Sequence, residues 1–260
     1  MTRRSPAILA LLTSLAILIS ACNGVAPGAA LTDPKAIVTA ALTSTEASKS
    51  VHIDIAVNGS ATVVLPGSTV KTPFDLSGTT ASADVDLAGG AARATFKVAS
   101  IISVSGEFIA VAGKVYAKTS LTGPLYVESA SSTAPVDPSR TKAMIETLGQ
   151  LLLKDGVNLV KGDDVACGSK QCYTVTADLT AAQLGTTGSA AASGLPIDLT
   201  GATLNLAVRV EKDLPYHLAG IAATLTAPDA TSIRADLTAS KWDEPVSIAA
   251  PPADQVKPAS

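Results

Sequence analysis

Large flat rings are scarce in this chain, where Phe, Trp and Tyr together make up 3% of 260 residues. An interior built without them is filled by Ala, Val, Leu and Ile, which pack closely or line a smooth apolar hollow. Charge is sparse too, at 16% Asp, Glu, Lys and Arg. The 19 basic residues are outnumbered by 22 acidic ones, so the clustered Lys and Arg that grip phosphate are missing and nucleic acid is excluded as a partner. With two histidines, His52 and His217, and three cysteines, the chain has too few ligands for a metal site, and no metal or cofactor is expected. Gly-x-Ser-x-Gly is absent, and neither histidine has a triad-like setting; both read as plain surface residues. The adjacent pairs Asp163-Asp164 and Asp243-Glu244 read as solvated turn residues, because neighbours in a strand point to opposite faces and cannot share a substrate. A Gly-rich phosphate loop of the required spacing is also missing. The sequence therefore reads as a non-enzymatic protein. Its apolar run over residues 7–19 falls short of the roughly 20 residues that a membrane-spanning helix needs.

That run is the middle of an export signal. Arg3 and Arg4 precede it, and Leu18-Ile19-Ser20-Ala21 brings small residues up to Cys22, the shape of a secretory leader. Ile19-Ser20-Ala21-Cys22 resembles the lipobox of bacterial lipoproteins, in which the cysteine thiol carries diacylglycerol. The resemblance implies a signal peptide over 1–21, lipid attachment at Cys22, and a mature chain held on the outer face of the cell membrane. Without Arg3 and Arg4 the 19 basic residues become 17, against 22 acidic, for a net charge of −5. The mean hydropathy of +0.36 is high for an exported water-soluble protein, so much apolar surface has to be covered. Residues 22–32 are Gly, Ala and Pro with little else and read as a flexible tether. The remaining cysteines, in Cys167-Gly-Ser-Lys-Gln-Cys172, suit a disulfide across a hairpin turn in an oxidising compartment. A redox-active pair would want a strand-to-helix setting, which this turn-rich stretch lacks.

Asp33-Pro34 predicts a helix start, with a carboxylate N-cap and proline at the first position. Ile37, Val38, Ala41 and Leu42 share its apolar face, and it ends near Ser48. The period then becomes two. Val51, Ile53, Ile55 and Val57 lie on one face of a strand, with His52 and Asp54 on the other, and Asn58-Gly59 predicts a turn. Residues 61–127 read as strand after strand, with turns at Pro66-Gly67, Gly89-Gly90, Ala112-Gly113 and Gly123-Pro124. In one strand Ala92, Ala94, Phe96 and Val98 alternate with Arg93, Thr95 and Lys97. Asp137-Pro138 opens a second helix, whose face carries Met144, Ile145, Leu148, Leu151 and Leu152, and Gly156 ends it. Then follow an alternating Tyr173, Val175 and Ala177, a helical piece near 180–184, and a loop of small residues to Gly194. Three more alternating segments follow: Leu204, Leu206, Val208 and Val210; Ala219, Ile221, Ala223 and Leu225; Ile233, Ala235 and Leu237. Trp242 reads as a strand-end residue capping the core, with a place at a ligand or membrane mouth as the alternative. The tail over 249–260 is rich in Pro and Ala and predicts disorder.

The fold class predicted is α+β, one domain over 33–248: a large curved antiparallel sheet, an open half-barrel, with a few helices on its concave side enclosing an apolar cavity. The predicted lining is Val51, Ile53, Ile55, Val57, Phe96, Val98, Ile145, Leu148, Leu152, Leu204, Leu206 and Val208.

The order of features resembles the mycobacterial LppX/LprG/LprA/LprF lipoproteins. It rests on the Ile19-to-Cys22 lipobox, on Asp33-Pro34 leading into Lys49-Ser50-Val51-His52, on Gly113-Lys114-Val115-Tyr116-Ala117, on Val136-Asp137-Pro138, and on Ser240-Lys241-Trp242-Asp243-Glu244-Pro245-Val246. The resemblance implies a half-barrel related to the Lol lipoprotein carriers, with an acylated lipid or glycolipid as ligand, a membrane anchor, passage of the lipid through the cell envelope, and a membrane transporter as a further partner. A sensor or scaffold lipoprotein on the same fold, with no transported ligand, is the alternative. The pair Cys167 and Cys172 and the small-residue loop over 185–194 depart from the mycobacterial pattern.

Overall fold

The structure, a computed structural model, describes residues 30–64, 71–99, 103–130, 138–184 and 200–257. Helix α1 (Pro34–Ala47) starts where its cap predicts: the Ala36 N–H donates to Asp33 Oδ2 at 3.0 Å, with Pro34 in the first turn. It buries Ile37, Val38, Ala41 and Thr45 and stops at Ser48, which is extended.

Strands follow as β1 (Ser50–Val64), β2 (Lys71–Asp75), β3 (Thr79–Asp86), β4 (Ala91–Val98), β5 (Val104–Val111), β6 (Lys114–Thr119) and β7 (Val127–Ala130). Helix α2 (Pro138–Leu152) then leads to β8 (Leu159–Lys161), β9 (Val165–Cys167), β10 (Lys170–Thr180), β11 (Thr203–Glu211), β12 (Leu218–Thr226) and β13 (Ser232–Ser240). Among the described residues they form one 13-stranded sheet in the order β7-β6-β5-β4-β3-β1-β13-β12-β11-β10-β8, with β2 beside β1 and β9 beside β10. Neighbouring strands are antiparallel, and the sheet does not close on itself. Its first and last long strands, β1 and β13, pair at its middle, His52 opposite Ser240 and Ser60 opposite Ser232.

Several expectations change. Asn58-Gly59 is not a hairpin turn, because β1 runs through it, paired to β13 on one side from His52 to Ser60. On the other side β1 pairs with β3 up to Val57 and with β2 from Ser60. Gly59, at φ +108°, is the point of exchange, and a Cβ there would lie 2.0 Å from Ser232 O. Glycine is therefore required by contact as well as by backbone angle. Helix α2 ends at Leu152, before Gly156, whose positive φ serves the following turn. The tail is not structureless over its length. The Tyr126 N–H donates to Gln255 O and the Lys257 N–H to Tyr126 O, both at 2.8 Å, so that Val256 makes a parallel bridge to Tyr126. Ile248 and Val256 pack there against Ile109, Tyr116 and Tyr126 on the outer face of the sheet. A single 3-10 turn (Ala253–Gln255) and one isolated bridge have no periodicity for the sequence to show beneath its Pro and Ala content. Pro66-Gly67, Asp137 and the loop running to Gly194 lie outside the described residues.

Candidate functional site

The ladder registers sort the side chains into two faces. Successive rows on the concave side are Val51, Val85, Ala92, Ala110 and Val115; then Ala239, Ile53, Ala83, Ala94, Phe108, Ala117 and Val127; then Val208, Ile221, Leu237, Ile55, Ala81 and Phe96. Along these rows the face is apolar because each strand contributes every second residue to it.

Its two halves differ. Over β10, β11 and β12 the helices close it: Ile37, Val38, Ala41 and Leu152 join Val175, Ala177, Leu179, Leu206, Val208 and Val210 in one buried cluster. Gly149 lets the helices approach, since a Cβ there would lie 2.7 Å from Leu42 Cδ1. Between the helices and the sheet a void of 10 Å³ remains, lined in part by Ile145, Leu148, Leu152, Val208 and Leu218. That is about the space of one water-sized probe. Over β1, β3, β4, β5 and β13 the first row is buried, with Val51 only 1% exposed. Below it Ile53, Ile55, Val57, Ala81, Ala83, Phe96, Val98, Phe108, Ala235 and Leu237 are all half-buried. The Phe96 ring bends over Gly106 and stacks on Phe108, ring centres 5.1 Å apart.

The residues predicted to line a cavity thus fall into two groups. Leu152, Leu206 and Val208 sit inside the cluster beneath the helices, with Leu148 and Leu204 at its margin and Ile145 on the small void. Val51 and Ile53 belong to the second cluster, and Ile55, Val57, Phe96 and Val98 stand on the half-open face. Phe108, Ala81, Ala83 and Leu237 share this face but are missing from the predicted lining, although the alternation of β3, β5 and β13 carries them. Cys22 lies outside the described residues.

Trp242 joins the two clusters at the end where β1 begins. Its Nε1–H donates to Leu218 O at 2.9 Å, and His217 stacks on it at 5.0 Å. Next to it the Lys49 N–H donates to Asp243 Oδ1 (2.6 Å), the Asp243 N–H to Ser50 O (3.1 Å) and Ser50 Oγ to Glu244 O (2.6 Å). The segments after α1 and after β13 therefore latch this end shut. His217 is buried rather than superficial, with Nδ1 3.8 Å from Glu211 and Nε2 3.6 Å from Asp243. Burial holds its pKa below the ordinary value, opposed by Glu211 and Asp243.

Over β1, β3 and β4 the convex face is mostly polar. His52 bridges Asp84 at 2.7 Å and Asp54 at 3.2 Å. Burial would raise the Glu107 carboxyl, but bonds to Lys118, Tyr126 and Arg93 outweigh it and hold the group low. A hollow of about 490 Å³ is lined by the polar residues Asp54, Thr80, Ser82, Thr95, Lys97, Asp236 and Thr238 together with Ile55, Ala56, Ala81 and Phe96. Cys167 and Cys172 form a disulfide, Cα atoms 5.9 Å apart, across the two-residue turn joining β9 to β10. Among the described residues there is no group of ligands that could hold a metal, and no helix is long and apolar enough to cross a membrane.

An open antiparallel sheet whose apolar concave face is covered by helices over one half and left half-buried over the other is an open half-barrel. The chain belongs to the LppX_LprAFG lipoprotein family, whose profile matches residues 33–248. Its fold is similar to the crystal structure of LprF from Mycobacterium bovis, with a TM-score of 0.57 and 19% identity over 86% of this chain and 99% of that one. It is also similar to the lipoprotein LppX of Mycobacterium tuberculosis, with a TM-score of 0.52 and 20% identity over 83% of this chain and 98% of that one. No curated protein sequence matches the chain.

Proposed function

We propose that this protein is a non-enzymatic carrier that binds acylated lipid or glycolipid on its concave face and moves it through the cell envelope, anchored to the outer face of the cell membrane through Cys22. The observation that carries the reading is the half-buried apolar stretch around Ile55, Val57, Phe96, Val98 and Leu237. An acyl chain laid there gains roughly 0.8 kcal/mol for each CH₂ removed from water. The packed space beneath the helices, with its void of 10 Å³, favours a second reading: a sensor or scaffold lipoprotein that transports nothing.

Native mass spectrometry of the Cys22→Ala chain, purified without detergent from a host that modifies lipoproteins, tests both parts. The expected result is a protein with no covalent diacylglycerol and with a noncovalent adduct of lipid mass. A covalent lipid that survives the substitution overturns the anchor. A protein found empty in every preparation overturns the carrier and leaves the scaffold.

A further inference from the structure

The turn between β6 and β7 holds apolar side chains in solvent. Leu121 is 70% exposed, Leu125 40% and Val127 42%, and residues 119–127 include no charged residue. The conformation is fixed by its own bonds. The Thr119 N–H donates to Thr122 Oγ1 at 2.9 Å, and the Thr122 and Gly123 N–H groups donate to Thr119 O at 3.1 and 3.2 Å. Backbone donors satisfied within the turn need not be stripped of water when the turn enters an apolar medium.

This turn continues the apolar concave face. Val127 lies opposite Ala117, Ala117 opposite Phe108, and Phe108 opposite Ala94, so one row runs from the exposed edge into the half-buried face. It also stands at the end of the strands opposite the latch: the Ser120 N–H bonds to Ser105 O where β5 begins, while Trp242 and the Asp243 latch lie at the other end.

We propose that the β6–β7 turn is a lip that dips into a lipid bilayer with Leu121 at its tip, seating the end of the concave face opposite the latch on the membrane so that lipid enters and leaves there. The inference rests on the carrier reading above. A bilayer suits the patch better than a protein does, because protein hot spots are rich in Trp, Tyr and Arg within a polar rim, and this patch is small and aliphatic. The charges that flank it are already paired, Lys118 with Glu107 and Lys114 with Glu128. The reach is sufficient. Residues 22–31 extend to at most ~30 Å, and the Leu31 N–H is bonded to Tyr173 Oη. From Tyr173 to Leu179, along β10 away from the latched end, is roughly 20 Å.

The test uses the full lipidated chain in phosphatidylcholine–phosphatidylglycerol vesicles, with the environment-sensitive dye NBD on Leu121→Cys or, as control, on Leu214→Cys. Leu214 is 59% exposed in the β11–β12 turn at the latched end. At 121 the dye is expected to shift to the blue and to be quenched by nitroxides on the acyl chains, whereas at 214 it stays aqueous. Matching aqueous spectra at both positions overturn the lip. So does a shift at 121 that needs no vesicles and grows with protein concentration, which would make the occupant a second copy. In parallel, Leu121→Asp is expected to slow lipid uptake from vesicles roughly tenfold, by removing one leucine's transfer into hydrocarbon, while equilibrium binding of the same lipid supplied as monomer stays unchanged. An aqueous dye together with normal lipid uptake overturns the lip alone. An inserted dye in a protein that takes up lipid by neither route overturns the carrier alone.

Discussion

His217 illustrates how a residue's surroundings, rather than its type, set its behaviour. Stacked on Trp242 and withdrawn from water, it has a pKa lowered from 6.5 by burial, with Glu211 and Asp243 pulling upward and Lys170 adding to the decrease. The unfolded chain therefore takes up a proton first as pH falls. Above about pH 7 neither state carries it and stability is unaffected; below the ordinary value of 6.5 the folded state loses ground. His217→Phe keeps a ring against Trp242 and removes the titration. Between about pH 7 and pH 5 the melting temperature of the variant should fall less than that of the parent. Parallel melting curves for the two proteins across that range would show that the buried imidazole is not the titrating group. Glu107 does not confuse the comparison, since its carboxyl is held below its ordinary value of 4.5.

Among the elements, the β9–β10 hairpin has two independent supports. The ladder pairs Lys170 with Cys167 and Cys172 with Val165, and the disulfide closes the same short loop. Cross-linking so small a loop removes little entropy from the unfolded chain, so Cys167→Ser with Cys172→Ser should cost about 1 to 3 kcal/mol in urea denaturation. Lipid binding should persist, because the hairpin lies at the edge of the sheet, away from the half-open face. Binding lost at unchanged stability would give the pair a role beyond the staple. Strand β1 shows a different kind of element. It is long because it serves two partners in succession, β3 and then β2, with Gly59 at the exchange. Asn-Gly between alternating apolar residues usually marks a hairpin; here the ladder to β13 overrides it.

For the whole molecule, the question is whether the concave face is a core or a binding surface. In a packed core a small-to-large change strains its neighbours and costs typically about 1 to 3 kcal/mol. On a half-open face the added bulk occupies free space and appears as lost ligand. Val57 and Val98 are both half-buried there. Val57→Trp and Val98→Trp, made singly, should melt near the parent temperature without lipid, and at least one should take up less lipid in a fluorescent fatty-acid titration. Unfolding of both variants, or binding by both at the parent level, would mean that these strands line an ordinary core.

The sequence alone determined what depends on near neighbours. Asp33-Pro34 set the start of α1, period-two alternation in β1 and β4 set which side chains share a face, and six residues from Cys167 to Cys172 contained a closed hairpin. Together with the order of its motifs, these were enough for the half-barrel and its family. Only the tertiary structure decided what depends on distant partners. The pairing of β1 with β13, the burial of His217 under Trp242, and the seating of Val256 beside Tyr126 each join segments far apart in the chain. The division of the predicted lining, with Leu152 and Val208 packed under helices and Val57 and Phe96 left half-open, was beyond the sequence for the same reason. Alternation tells which face a residue takes, but what covers that face is settled by where α1 and α2 dock.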